Sequence, residues 1–299
     1  MAMVKEQHGP PHPSFELAKR LVDHHGFLAT FLTFSNFSSP TQSAFLTSLP
    51  RSISSISIPF ISLDDLPPGS NIETCICVLL HRSVPHVRSA LQSLHQSNRL
   101  VAFVPDFFCS YTLPIAKELS IPHYIFVTSN LAFLAFMLHF PYLHETTTCQ
   151  YHDLPEPLCL PGCVPLWGKD FIDPAKDRTS EVYKWVLRLA KGYVNAEGFL
   201  VNSFEKMEPK IAKAFNDGKH GHQPAYAVGP FVRYDRGEAE RDESGCLAWL
   251  NKQLTGSVLF ISFGSGGTLS IEQMNEIAFG LEESGQRFLW VVHTPSDKE

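Results

Sequence analysis

The fold class is decided by residues 256–292, which read GSVLFISFGSGGTLSIEQMNEIAFGLEESGQRFLWVV. An apolar run is followed by a glycine-rich turn, a segment with helical periodicity and a second apolar run. This order predicts a strand, a turn, a helix and a strand, which is the βαβ unit of a parallel sheet. Ser270 can cap the helix, with Gln273 at the capping-box position. We expect one helical face to carry Ile271, Met274, Ile277 and Leu281.

The turn in this stretch contains Gly264, Gly266 and Gly267, which let the backbone approach a ligand closely. The helix that follows offers free N–H groups and a favourable dipole for a phosphate. The turn has neither the Gly-Lys-Ser/Thr of a P-loop nor the G-x-G-x-x-G of dinucleotide-binding folds. The second strand leads to His293 instead of an acidic residue, which disfavours NAD. From this pattern alone, a phosphate site and a tight turn without a ligand remain equally open.

The same alternation of strands and helices extends over the rest of the chain. The strand-like apolar runs are residues 27–34, 53–63, 100–104, 123–127, 198–203 and 225–230. The helical patterns between them cover residues 13–26, 73–94 with a break or bend near Pro85, 130–140, 180–193 and 204–215. Short apolar strands that alternate with helices predict an α/β fold with a parallel sheet covered on both faces.

A polar segment without periodicity, residues 232–245, interrupts this alternation and is predicted to be a linker. We therefore expect one domain over residues 1–231 and the start of a second, incomplete domain over residues 246–299. The apolar runs of the second domain would lack sheet neighbours. We expect their edges to be exposed, so that the protein aggregates or these strands pack on the first domain.

The composition is that of a globular protein, with 299 residues, 44% hydrophobic residues, 18% charged residues and a net charge of −6. This balance argues against disorder, and the scattered Lys and Arg residues argue against a nucleic-acid partner. The N-terminus lacks the pattern of a signal peptide, and the longest apolar stretch, Asn130–Phe140, is shorter than the ~20 residues that span a bilayer. We expect a cytoplasmic monomer with no membrane partner.

The chain contains seven cysteines. Their number is odd, their spacings are irregular, and the sequence has no C-x-x-C pair. This pattern disfavours a zinc site and predicts reduced, mostly buried thiols.

Several segments, in the same order, resemble the plant UDP-dependent glycosyltransferases, most of all the hydroquinone (arbutin-forming) glucosyltransferase type. Besides residues 256–292, they are PEPLCLPGCVPLWGKDF (155–171), AEGFLVNSFEKMEP (196–209) and AYAVGPFV (225–232). The resemblance extends from about Phe15 to Val292. It implies a GT-B fold, here a complete or nearly complete N-terminal Rossmann-like domain and the first βαβ unit of a second one.

The resemblance also implies a reaction. The first domain of this family holds the acceptor and the second holds the UDP-sugar. Glucose passes from UDP-glucose to a hydroxyl of a small phenolic acceptor with inversion at the anomeric carbon. UDP-glucose is a co-substrate, and neither a cofactor nor a metal is expected.

Individual site residues follow from the same resemblance. Asp106 falls on the aspartate that orients a catalytic histidine, and its position directly after a strand-like run fits this role. The acceptor-binding candidates are Phe108, Asn130 and Glu73, and the donor-binding candidates are Gly264, Ser265 and Gly266. Two alternatives remain, since Asp106 can be a loop residue that caps the next helix and Phe108 can belong to the core.

The sequence departs from the family at its start. The family begins with a strand and a Gly-His pair, whereas MAMVKEQHG has neither the length nor the apolar content of a buried strand. Pro10 stands at the position expected for the histidine, with His8 and His12 two residues to either side. His12 is the candidate base, and the alternative is that neither histidine is catalytic.

The second departure is at the donor site. The Trp-x-Pro-Gln, His-Cys-Gly-Trp-Asn-Ser and Asp/Glu-Gln elements that bind the UDP-sugar in this family are not in these residues. We therefore expect a fragment of a glucosyltransferase without activity of its own. The second hypothesis is a non-catalytic protein that binds small molecules in the acceptor pocket.

Overall fold

The computed structural model describes residues 13–37, 46–47, 49–218, 221–231, 244–263 and 269–292. The chain divides into two compact units, Met1–Arg233 and Tyr234–Glu299. Residues 232–243 of the predicted linker lie outside the described residues. The predicted domain boundaries therefore stay a prediction.

The elements of the first unit alternate as expected for an α/β fold. In chain order they are α1 (Pro13–His25), β1 (Ala29–Phe34), β2 (Ile53–Ile58), α2 (Ile72–Ser97), α3 (Leu113–Glu118), β3 (Tyr124–Val127), α4 (Leu131–Thr146), α5 (Asp173–Lys176), α6 (Glu181–Gly192), β4 (Gly198–Val201), α7 (Pro209–Asn216) and β5 (Ala225–Ala227). A 3₁₀ segment, Phe107–Thr112, precedes α3.

All strand pairs of the first unit are parallel. Strand β1 pairs with β2 from Ala29–Ile53 to Phe34–Ile58, and a separate sheet has the order β3-β4-β5. Strands β3 and β4 are buried along almost their whole length. Continuous burial explains why these strands are apolar runs without alternation, since both faces of a parallel sheet are covered.

The apolar run 100–104 is not a regular strand, contrary to the prediction. This segment joins β3 only through isolated parallel bridges, Phe103 to His123 and Asp106 to Phe126. Pro105 lies between the bridges and has no N–H to donate, so the ladder is interrupted there. Its carbonyl still accepts from the Phe126 N–H at 2.8 Å.

The prolines also explain three differences in element bounds. Strand β2 ends at Ile58 because Pro59 follows it. Helix α7 begins at Pro209, not at residue 204, because proline favours the first helical position. Helix α2 continues without a break through Pro85, since Pro85 lies on the exposed side while Val87 and Leu91 keep the buried face in the core.

Two hydrophobic clusters hold most of the first unit together. The larger one lies between α4, α6 and the sheet β3-β4-β5, and includes Phe140, Tyr151 and Tyr183. The second lies between α2 and the pair β1-β2, and includes Leu32 and Leu79. Helices thus cover both sheets of this unit.

The second unit contains the predicted strand, helix and second strand, whereas the glycine-rich turn, residues 264–268, lies outside the described residues. Its elements are α8 (Cys246–Leu250), β6 (Val258–Ile261), α9 (Ile271–Glu283) and β7 (Arg287–Trp290), and β6 pairs with β7 in parallel. The capping box is present, because Ser270 Oγ accepts from the Gln273 N–H at 3.2 Å and Gln273 Oε1 accepts from the Ser270 N–H at 3.0 Å.

The packing of this unit differs in part from the prediction. Leu281 is buried and Met274 and Ile277 are half-buried, but Ile271 is 57% exposed. The strands do have neighbours, since β6 and β7 pair with each other. Leu259 and Phe260 are nevertheless 51% and 63% exposed, because the described residues of this unit supply one helix of the βαβ pair and no second layer.

All seven cysteines are free thiols, as predicted. The prediction that most are buried is wrong, because only Cys77 and Cys109 are buried while Cys149 and Cys159 are exposed. In the part of the chain that the structure describes, no helix is both long and apolar enough to cross a membrane.

A closed loop, residues 158–166, lies against the start of α7. Leu158 and Leu166 each donate their N–H to the other's carbonyl, at 2.8 and 2.9 Å. Gly162 has φ +77°, and a Cβ at this position would lie 2.5 Å from the Lys210 carbonyl oxygen. The loop is therefore held against α7 at a distance that only glycine permits.

This close approach predicts a difference between two glycine substitutions. Gly26 also has a positive φ, +67°, but a Cβ there would meet nothing within 4 Å. Gly26→Ala should lower the free energy of unfolding by about 1 kcal/mol through backbone strain alone. Gly162→Ala should cost about 1–3 kcal/mol more, because the methyl group displaces the Lys210 backbone. Urea unfolding followed by circular dichroism tests this difference, and equal losses would contradict the close packing.

Candidate functional site

The predicted site residues of the first unit gather at one edge of its larger sheet. Asp106 forms the bridge of its segment with Phe126, and Asn130 follows the end of β3. The two segments run parallel, so their carboxyl ends lie at the same edge of the sheet. This edge is where open α/β sheets bind ligands.

Asp106 is a buried carboxylate with a defined orientation. Its side chain is 3% exposed, and Oδ1 accepts from the Phe108 N–H at 3.0 Å. Asp106 is thereby the N-cap of the 3₁₀ segment Phe107–Thr112. The alternative that Asp106 is a loop residue capping the next helix therefore describes this contact correctly. It does not exclude a functional role, since a capping bond to one oxygen fixes the direction of the whole carboxylate.

The groups around Asp106 are held in their neutral forms. Burial raises the pKa of the Cys109 thiol, and the nearby Asp106 carboxylate raises it further. Burial and the same carboxylate raise the pKa of Tyr193. Burial, followed by the charge of Glu73, raises the pKa of Cys77 to about 12. These thiols are therefore protonated at neutral pH and unsuited to nucleophilic attack.

Glu73 lies in the first turn of α2, one helical turn before Cys77. Helix α2 packs against the 3₁₀ segment that Asp106 caps. Because residues four positions apart share a helix face, Glu73 lies on the same side of α2 as the buried Cys77.

Three aromatic rings connect Asp106 to helix α4. The Phe108 ring lies 4.4 Å from the Phe107 ring, and the Phe107 ring contacts the Phe133 ring edge-on at 5.4 Å. Phe108 is half-buried against the α2 cluster, so it contributes to the core on one side. The residues Phe107, Phe108 and Phe133, called the aromatic row below, provide a surface on which an aromatic ligand can stack.

Asn130 caps helix α4. Its Oδ1 accepts from the Phe133 N–H at 2.9 Å, and the residue is exposed. A second side chain, which the sequence analysis missed, holds the same helix end. Glu208 accepts from the N–H groups of Leu131 and Ala132 at 2.9 and 3.0 Å. Glu208 is 77 positions away from Leu131, so no local pattern could have pointed to it.

The remaining candidates lie outside the described residues. They are His12, together with the alternative His8 and the neighbouring Pro10, and the donor-binding residues Gly264, Ser265 and Gly266. The structure therefore brings together Asp106, Phe108 and Asn130 and places Glu73 on the adjoining helix. Among the described residues, no group of three or more His, Cys, Asp or Glu side chains could hold a metal ion.

The cap at Asn130 yields a stability prediction. Asn130→Ala should lower the free energy of unfolding by about 1 kcal/mol, because the Phe133 N–H loses its acceptor. Asn130→Ser keeps a capping oxygen and should cost clearly less. Thermal or urea unfolding of both variants measures the difference. If the alanine and serine variants are equally stable, the cap does not contribute, and Asn130 is available for a ligand.

Comparison with known proteins gives consistent relatives. No family model matches the chain. It is 45% identical over 287 residues to the hydroquinone glucosyltransferase of Rauvolfia serpentina, covering 96% of this chain and 61% of that protein. It is 46% identical to UDP-glycosyltransferase 72B1 of Arabidopsis thaliana, covering 95% of this chain and 60% of the relative.

Solved structures show the same similarity. UGT2 of Phytolacca americana, in complex with UDP-2-fluoro-glucose and pterostilbene, matches with a TM-score of 0.86 and 44% identity over 95% of this chain and 64% of that one. A UDP-glucosyltransferase of Polygonum tinctorium, in complex with 3,4-dichloroaniline, matches with a TM-score of 0.87 and 42% identity over 96% and 63%. The predicted α/β fold class of GT-B type is confirmed. The chain spans about three fifths of the length of these relatives.

Proposed function

We propose that this chain, a relative of the plant UDP-glycosyltransferases in sequence and fold, provides the acceptor-binding part of a glucosyltransferase. The proposed reaction transfers glucose from UDP-glucose to a hydroxyl of a small phenolic acceptor, with inversion at the anomeric carbon. The observation that supports this most is the buried Asp106 carboxylate beside the aromatic row, at the carboxyl edge of the sheet.

The acceptor would lie with its ring on the aromatic row and its hydroxyl toward Asp106. Phe107, Phe108 and Phe133 offer an apolar, aromatic surface, which suits a phenol better than a charged or aliphatic ligand. The relatives described above were solved with pterostilbene and with 3,4-dichloroaniline, both small aromatic molecules. For this chain, a phenolic acceptor remains part of the proposal.

Asp106 would act through a histidine, for which His12 is the candidate. The histidine takes the proton of the acceptor hydroxyl while the oxygen forms a bond to the anomeric carbon and the bond to UDP breaks. A positive imidazolium then stands next to the buried carboxylate, whose negative charge favours this protonated form. Because Oδ1 is fixed by the Phe108 N–H, the carboxylate needs no reorientation during this step.

The donor phosphates would meet the glycine-rich turn, where Gly264, Ser265 and Gly266 precede helix α9. Backbone N–H groups at a helix start suit the negative charge that develops on the departing UDP. The uracil, ribose and sugar contacts belong to elements that these residues do not contain. The 299 residues by themselves should therefore bind an acceptor and not turn it over.

Both hypotheses share this expectation for the isolated chain. With UDP-glucose and hydroquinone, we expect no glucoside from the isolated chain, measured by liquid chromatography, and saturable hydroquinone binding, measured by calorimetry. Glucoside formation would contradict the proposed inactivity of the isolated residues. Absence of hydroquinone binding would contradict both the acceptor-site proposal and the alternative of a non-catalytic binding protein.

The role of Asp106 can be separated from its capping bond. The test uses this chain joined to the part of the Rauvolfia serpentina relative that it does not cover. Asp106→Asn keeps an oxygen for the Phe108 N–H but removes the charge, so stability should hold while kcat falls by at least about 100-fold. Asp106→Ala should lower both the stability and kcat. The exposed Asp153→Asn serves as the control and should leave kcat unchanged. A normal kcat in Asp106→Asn would show that Asp106 only caps.

A further inference from the structure

A second cavity lies in the first unit, on the other side of helix α4 from the core. Its volume is about 440 Å³. Four elements line it, namely α4, the loop 158–166, α7 and the segment after α7. The side chains that the argument uses are His139 and Tyr142 of α4, Pro161 of the loop, Ala214 and Phe215 of α7, and His222.

This cavity is distinct from the candidate acceptor site. Asn130 and the aromatic row lie at the start of α4, whereas His139 is nine residues further on, about 13 Å along the helix axis. The helix face that contacts the cavity carries Ala135, Leu138, His139 and Tyr142, which follow the i, i+3, i+4, i+7 spacing. Phe136 and Phe140 point the other way, into the core.

Contacts within the protein hold two walls of the cavity in place. The loop that carries Pro161 is closed by the Leu158–Leu166 hydrogen bonds and pressed on α7 at Gly162. The opposite wall is the middle of α4, a 16-residue helix that is capped at its start. A ligand that enters therefore does not have to order these two walls, which lowers the entropic cost of binding.

The lining chemistry selects an uncharged ligand. The side chains that line the cavity include no Lys, Arg, Asp or Glu among the described residues. Burial, and next the proximity of His222, lowers the pKa of His139. The His139 imidazole is therefore neutral at physiological pH, and one of its nitrogens can accept a hydrogen bond. An anion would find no Lys or Arg partner among the described lining residues.

The same lining favours an aromatic ring. Phe215 lies 6.4 Å from His222, and Tyr142 lies 5.1 Å from His139, measured between ring centroids. Leu138, Leu160 and Pro161 complete the apolar surface. A flat ring can pack between these groups, and a hydroxyl on the ring can donate to the imidazole of His139.

We propose that this cavity is a second small-molecule site, which binds an uncharged aromatic ring carrying a hydroxyl group through stacking on Phe215 and a hydrogen bond to His139. The site requires no sugar donor and no turnover. It is therefore independent of the proposed glucosyltransferase function, and either proposal can fail without the other.

Calorimetry with 4-methylphenol as the probe tests the ligand class. The methyl ether of the same phenol lacks the donor hydroxyl. In 4-methylbenzoate, a negatively charged carboxylate stands in place of the hydroxyl. We expect the ether to bind about fivefold to tenfold more weakly, the effect of one lost hydrogen bond, and the benzoate to bind more weakly still. Equal binding of the phenol and the ether, or tighter binding of the benzoate, would overturn the proposed chemistry.

Two variants, Ala214→Trp and Phe108→Ala, test where 4-methylphenol binds. Ala214→Trp fills the cavity and should remove one class of binding sites for 4-methylphenol. Phe108→Ala alters the candidate acceptor site and should leave that class unchanged. His139→Gln keeps a polar group of similar size, and His139→Phe removes the acceptor, so the phenylalanine variant should lose about fivefold in affinity and the glutamine variant less.

Circular dichroism shows whether each variant is folded, and a nuclear magnetic resonance titration gives a second readout in the unmodified chain. The imidazole signals assigned to His139 and His222, by their loss on substitution, should shift with 4-methylphenol. Unchanged binding by a folded Ala214→Trp variant, or imidazole signals that do not move, would refute the site.

Discussion

The architecture around both sites depends on one carboxylate, that of Glu208. It accepts the N–H groups of Leu131 and Ala132 at the start of α4 and also accepts the hydroxyl of Ser203. The first N–H groups of a helix have no partner within the helix, and a negative charge there is favourable. Glu208 therefore ties the segment between β4 and α7 to the helix that carries the aromatic row at its start and His139 further along. This contact adds to the hydrophobic packing of α4 in fixing where these two surfaces lie relative to β4.

A second constraint comes from the parallel sheet. Parallel strands bring all their carboxyl ends to one edge of the sheet. Asp106 and Asn130, which share no sequence motif, therefore both lie at this edge. Pro105 interrupts the ladder directly before Asp106. The chain can then turn into the 3₁₀ segment, which Asp106 caps. Asp106 thus bridges to Phe126 of β3 and also caps the 3₁₀ segment that leads away from the sheet.

What the sequence could predict follows from the range of each interaction. The two strands and the helix of residues 256–292 and the Ser270–Gln273 capping box were predicted correctly, because periodicity and capping depend on residues a few positions apart. The passage of α2 through Pro85 was not, because buried contacts of that helix outweigh the local cost of a proline. The Glu208 contact and the cavity beside His139 were not predicted either, because both depend on contacts between segments that are distant in the chain. His12 and the turn around Ser265 lie outside the described residues, so their roles rest on the resemblance and stay predictions.

The two surfaces of α4 differ in how they treat charge, and this difference separates their chemistry. Across the aromatic row from the start of α4, Asp106 is a buried carboxylate whose neighbours, Cys109 and Tyr193, are kept neutral, which suits a positive group at this place. The proposed proton transfer from an acceptor hydroxyl to a histidine would use this arrangement. In the cavity near the middle of the helix, the described lining contains no Asp or Glu that would stabilise a positive group. A phenol in that cavity would stay a phenol. The same helix can thus offer one surface suited to reaction and another suited only to binding.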